Sequence, residues 1–364
     1  MKAVCKKNNL NTGLATASRI ISTNNSLPVL NNILLRTELG RLKISSTNLE
    51  LAINTWVGGK IEEEGDITIP AKLINDYVNS LTTEKLTISS KNQTLYLETS
   101  ESKSHIKGLS SEEFPLIPQI QEPLYAKIKG TELAAAIHTV VFAASFSETQ
   151  PEISGVLFEF NGAELIIAAT DRYRLAEARV KVAEKPSETR RIIIPNRSVV
   201  ELGRVMQGGD VEIYLSEGQI MFKNDSIELI SRVIEGLYPD YQQIIPKNFT
   251  SEAETEKTEM IRALRAVGLF ATDTNNIEIE IDPQGKRVVV RSQANQTGDS
   301  EVAVQAETIG RGNKIIFNHK YLLDCLNNLN DERVILKTID PSSPAAIVPK
   351  GREDYIYIVM PIKT

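Results

Sequence analysis

Two apolar runs around a polar corner organise the pattern of this chain. Residues 165–180, LIIAATDRYRLAEARV, pass from a strand-like run through Thr170, Asp171 and Arg172 into a second strand over 173–180, the mark of a β-hairpin. The corner admits two readings. Either Asp171 stabilises a solvated turn by bonding its own backbone, or a rigid rim presents Tyr173, Arg174 and Leu175 to a partner. Alternation recurs where Leu49, Leu51, Ile53, Thr55 and Val57 interleave with Glu50, Ala52, Asn54 and Trp56, as in a half-buried strand. TLYLE (94–98) and VEIYLS (211–216) read as further strands. Helical spacing places Leu73, Ile74, Tyr77, Val78 and Leu81 on one face. Early helices are expected over 10–21, 131–144 and 255–271, the last beginning in the polar TSEAETEKT, read as a linker and helix start.

The pattern repeats. ITIPAKLINDYVNSL (67–81), RIIIPNRSVVELGRVM (191–206) and KIIFNHKYLLDCLNNL (314–329) each join a β-rich run to an amphipathic helix, with Ile69, Ile194 and Phe317 at intervals of 125 and 123. SSTNLELAI (45–53) precedes AATDRYRLA (168–176) by 123, and Phe114 precedes Tyr238 by 124. Three copies of about 122 residues fill the chain, which implies three domains. Helices separated by several strands argue α+β with antiparallel sheet.

Composition narrows the chemistry. Charged residues make up 24% and hydrophobic ones 41%, a globular balance. No apolar run is long enough to span a membrane, and MKAVCKKNNLN lacks a signal-peptide core, so a cytoplasmic protein with no membrane partner is expected. Cys5 and Cys325 have no metal-ligand spacing, and neither a metal nor a cofactor is expected. The net charge of −6 argues against a grip on nucleic acid by overall attraction. An enzyme is disfavoured. His105, His138 and His319 stand apart, Gly58-Gly59-Lys60 reads as a turn, and Gly208-Gly209-Asp210 reads as a helix stop. Asp171 with Asp273 or Asp282 would form a carboxylate pair only by accident of folding. Basic residues nonetheless recur on the helices: Arg19, Lys72, Arg197, Arg204, Arg262, Arg265 and Lys320.

Four segments carry a resemblance. ATDRYRLA is similar to the A-T-D-x-[HYF]-R-L-A segment of the bacterial DNA sliding clamp family, the β subunit of DNA polymerase III. YIYIVMPIKT resembles that family's closing Y-x-V-M-P-x-[RK], and LPVLNNILL (27–35) and LYPDYQQIIP (237–246) match in place and order. The resemblance implies three clamp domains, here 1–120, 121–247 and 248–364, each with two helices inside and antiparallel sheets outside, forming half of a six-domain ring. It implies a head-to-tail homodimer with Leu269 and Phe270 at the seam, closed around double-stranded DNA that the helix cations face. The partners implied are the replicative DNA polymerase catalytic subunit, the clamp loader, and other clamp-binding polymerases and repair proteins.

These would dock by a peptide in a pocket between domains 2 and 3. By resemblance, its wall holds Ile153, Thr170, Arg172, Tyr173, Arg174, Leu175, Pro239, Gln243 and Ile244. Asn318, Tyr321, Ile358, Met360, Pro361 and Ile362 complete it. Gln243, Arg172, the Asn24-Asn25-Ser26 loop and Thr364 depart from the family's usual residues. The alternative is a ring-fold scaffold that binds proteins but is not loaded on DNA.

Overall fold

A computed structural model describes every residue except 22–26, 148, 185, 187, 272–274, 295–297 and 363–364. The departures noted at Asn24-Asn25-Ser26 and Thr364, and the carboxylate Asp273, lie outside the described residues. Seven α-helices occur among the described residues: α1 (Lys7–Ser18), α2 (Ala71–Ser80), α3 (Gly130–Val140), α4 (Pro151–Ser154), α5 (Asn196–Val205), α6 (Lys257–Gly268) and α7 (His319–Asn328). All ladders between strands are antiparallel, and the chain is α+β.

The chain forms two compact units. One comprises Met1–Thr131, Ala183–Ser187 and Glu201–Val233; the other comprises Glu132–Val182, Glu188–Val200 and Ile234–Thr364. The first unit holds a five-stranded sheet, with Lys103–Lys107 at one edge, and an eight-stranded sheet. In the larger sheet, strand Leu51–Val57 pairs with Ile227–Arg232. Both faces of Leu51–Val57 are covered, since Ala52 and Asn54 are buried as well as Leu51 and Ile53. Leu49 is not in that strand but in the turn before it, at φ 76° and 47% exposed. α1 packs on this sheet and on α2. Gly13 permits the approach, because a Cβ there would lie 2.6 Å from Val57 Cγ2. On α2 the core-facing residues are Ala71, Ile74 and Val78, while Leu73 faces solvent. Gly59 begins a strand against Lys2–Lys6 rather than ending a turn.

The second unit holds a nine-stranded sheet and a four-stranded one, with Gly298–Gln305 at an edge of the latter. Ser251–Glu256 corrects the expected linker: it is a strand between Arg333–Thr338 and Glu307–Gly310. Ser251, Ala253 and Thr255 point inward, while Glu254 meets Arg333 and Lys350 and Glu252 meets Lys337. A polar segment thus alternates small against charged, and cationic neighbours supply the outer face. α6 consequently begins at Lys257.

Cys5 and Cys325 are free and buried. Burial pushes the Cys5 thiol up to about 11 and Cys325 upward also. Thiolate is the reactive form. Neither cysteine should therefore be alkylated by iodoacetamide at neutral pH in the folded protein, and both should be in denaturant; mass spectrometry counts the adducts.

Candidate peptide groove and helix cations

The corner at 170–174 is a built device. Strands Glu164–Thr170 and Arg174–Lys181 form the hairpin. Asp171 Oδ1 accepts from the backbone N–H groups of Tyr173 and Arg174, both at 3.0 Å, and Thr170 Oγ1 donates to Arg174 O at 2.7 Å. Arg172 takes φ 79° at the tip. Asp171 thus stabilises its own turn as expected, while of the three residues expected on a rim only Tyr173 is exposed, Arg174 and Leu175 being buried.

Arg174 is its centre. Its Nε donates to Asp171 Oδ2 at 2.9 Å and its Nη1 to Asp324 Oδ2 of α7 at 2.5 Å. The guanidinium lies 4.7 Å from the Tyr321 ring centroid and 5.7 Å from that of Phe142, within cation–π range. Burial alone would lower the Arg174 pKa; the bond to Asp324 and the nearby negative groups outweigh it and hold the pKa above its ordinary value. The side chain is only 7% exposed, so it is committed to holding the corner against α7.

The corner also meets the last strand. Arg174–Lys181 pairs with Tyr355–Val359, setting Leu175 opposite Ile358. Met360 N donates to Tyr173 O, and Ile362 N to Ile316 O, both at 2.8 Å. Leu175 and Ile358 belong to an apolar cluster with Tyr238 and Tyr241, against which Ile244 packs. Tyr173 is exposed and stacks on half-buried Tyr321, with centroids 6.4 Å apart. Met360, Pro361 and Ile362 are half-buried. Ile153 is buried on α4; Gly236 abuts Glu152 there, bringing the 236–244 linker to the same place.

Other residues have local duties. Asn318 caps α7 by accepting from Lys320 N at 3.0 Å, and Gln243 donates to Asp240 at 2.7 Å. Pro239 and Arg172 are exposed. The phenols of Tyr238 and Tyr241 are pushed up by burial, Tyr241 while donating to Glu177 at 2.7 Å. The result is an apolar floor under an aromatic and methionine rim, chemistry suited to an apolar peptide anchor.

The helix cations are exposed but partly compensated. In the first unit, Glu201 accepts from Arg19 at 2.6 Å and from Arg204 at 2.7 Å. In the second unit, Arg262 pairs with Glu259 one turn away, and Arg265 donates to Asn327 at 3.3 Å. Arg197 is also exposed. Lys72 and Lys320 pair with no carboxylate among the described residues. Leu269, just beyond α6, is 82% exposed, and Phe270 is half-buried.

Asp324, Phe142 and Glu201 went unread in the sequence. Arg174 lies 150 residues from Asp324, and Arg19, one of the two partners of Glu201, lies 182 residues from it, separations that no local pattern reports.

Comparison with known proteins places the chain. Family models for the DNA polymerase III beta subunit match throughout: the N-terminal domain over residues 1–118, the central domain over 127–240 and the C-terminal domain over 242–363. The beta sliding clamp of Synechococcus elongatus is 32% identical, with all of this chain and 99% of the relative covered. That of Staphylococcus aureus is 28% identical with both chains fully covered. The crystal structure of the Bacillus subtilis DNA polymerase sliding clamp aligns over 100% of this chain and 99% of that one, at a TM-score of 0.93 and 25% identity. With three domain models in order along its length, this chain belongs to the DNA polymerase III beta subunit family, the beta sliding clamps.

Proposed function

We propose that two copies of this chain close head to tail around duplex DNA and tether a replicative polymerase through the groove beside Tyr173 and Met360. One observation carries the reading: the two segments most like the family's, 169–176 and 355–362, meet at the Met360–Tyr173 bond of 2.8 Å. The protein acts without catalysis, as a processivity factor of this family does. Domains at 1–120, 121–247 and 248–364 would supply three segments of a six-part ring. Free sheet edges suit the seam. Lys103 and Lys107 lie on one edge strand, and Asp299 and Glu301 lie on the other. Charges of opposite sign favour antiparallel pairing between copies, with Leu269 and Phe270 beside it. No described helix is long and apolar enough to cross a membrane, and we place the protein in the cytoplasm.

Retention on DNA would be topological. Helix cations meeting phosphates carry no base information, and the carboxylates of Glu201 and Glu259 keep the grip weak enough to slide. The polymerase, the clamp loader and other clamp-binding polymerases and repair proteins would share the groove. The same neutralisation favours the alternative, a protein-binding ring not loaded on DNA, so the test must separate the two. The solution mass should be about twice 40.3 kDa, and the loaded protein should remain on nicked circular plasmid and run off the same plasmid once cut. Replacing Arg197, Arg204, Arg262 and Arg265 together by alanine should lower the slope of log affinity against log salt by up to about 0.9 per lost phosphate contact. Equal retention on circular and linear DNA, or an unchanged slope, would favour the scaffold.

A further inference from the structure

The first unit contains a cleft of about 520 Å³, within the roughly 300–1,000 Å³ typical of ligand sites. Met221 and Ile230 of the eight-stranded sheet line it and cluster with buried Ala52, and Ile117 and Ile120 pack against that cluster from the irregular segment 115–121. It repeats the groove of the second unit. Ala52 stands opposite Ile230 as Leu175 stands opposite Ile358. Pro115, Gln119 and Ile120 occupy the places in the repeat of Pro239, Gln243 and Ile244, and both isoleucines pack on their floors.

Two further observations define what fits. Among the described residues, no backbone N–H from 116 to 124 donates a hydrogen bond, leaving an unpaired strap beside the cleft. The basic groups lining the cleft are matched: Lys43 to Glu38 and Lys223 to Glu228, each at 3.0 Å, and Arg36 to Asp66 at 3.1 Å. An anionic ligand group would have to displace one of these pairs, so the complementary ligand carries no acidic group where it is buried.

We infer that this cleft is a second docking groove. It takes a short extended peptide with uncharged apolar side chains at alternate positions, the period of a strand. The peptide backbone bonds to the strap and its side chains rest on Met221 and Ile230, above Ala52. The inference rests on the proposed groove of the second unit for its class of ligand, but its reporter is separate. Trp56, the only tryptophan of the chain, lines the cleft with the Lys43 ammonium 5.0 Å from its ring centroid.

The test uses the full-length protein and a capped peptide of alternating serine and leucine. Titration should shift Trp56 emission saturably. Ala52→Phe, which fills the floor, and Ile120→Asp, in the irregular strap, should each weaken binding by about tenfold or more, a loss equivalent to one well-placed contact. Met360→Glu should leave the Trp56 response intact while abolishing peptide binding in the other groove. The proposal is overturned by an absent Trp56 response, by a response that Ile120→Asp leaves unchanged, or by one that Met360→Glu removes. Far-UV circular dichroism establishes that each variant is folded, and Ile120→Asp decides the matter if Ala52→Phe is not.

Discussion

Arg174→Ala should destabilise the protein by about 3 kcal/mol, the lower part of the range for removing one member of a buried ion pair. Asp171 is 15% exposed at its side chain and would lose its partner, while Asp324, at 47%, can recover water. Most of the cost therefore falls on Asp171 and on the lost stacking with Tyr321 and Phe142. Arg174→Lys should recover little, because one ammonium cannot serve two carboxylates in fixed directions and lie flat on a ring. Asp324→Asn should cost less than Arg174→Ala. The groove should suffer along with stability: releasing α7 from the corner loosens the Tyr173–Tyr321 stack, and a fluorescent clamp-binding peptide should bind at least tenfold more weakly at temperatures where the variant is folded. Denaturant midpoints and fluorescence anisotropy measure the two effects. Wild-type stability in Arg174→Ala would mean that the guanidinium holds nothing together.

Leu269→Asp should separate the copies. A carboxylate placed in an apolar seam without a partner costs on the order of 3 kcal/mol. A ring closed head to tail contains that seam twice, so the dimer constant should weaken by roughly 10⁴-fold, given a factor of ten per 1.4 kcal/mol. The fold should survive, because Leu269 is exposed in the single chain, and exposed substitutions usually lie within about 0.5 kcal/mol. Peptide binding at the Tyr173 groove should also survive. Analytical ultracentrifugation at micromolar concentration would decide: an unaltered dimer places the seam elsewhere.

Local order was legible where the code is local. The hairpin at 164–181 and the strand at 94–98 follow from alternation in adjacent residues, and the threefold repeat from similar segments about 123 residues apart. Ser251–Glu256 was not, because its inward side chains are small and its outward ones acidic, so the run mimics a linker until Arg333 and Lys350 are in place. Leu73 was assigned to a buried stripe by spacing, yet Ala71, Ile74 and Val78 already fill that face. Within the groove, the corner and the closing strand were legible as motifs. The commitment of Arg174 to Asp324 was not, since it depends on where a helix 150 residues away is packed.

The pairing of Arg174 with Val359 has a consequence for biosynthesis. A ribosome releases the 174–181 strand long before its neighbour 355–359 exists, and the two are 185 residues apart at that pair. At about 5–20 residues per second, the hairpin waits roughly 10–40 s with one edge bare. Its edge residues, Arg174, Glu177 and Arg179 among them, include charges that deter other nascent chains from pairing there. Charges along this strand would thus guard its bare edge during the interval before the last strand pairs with it.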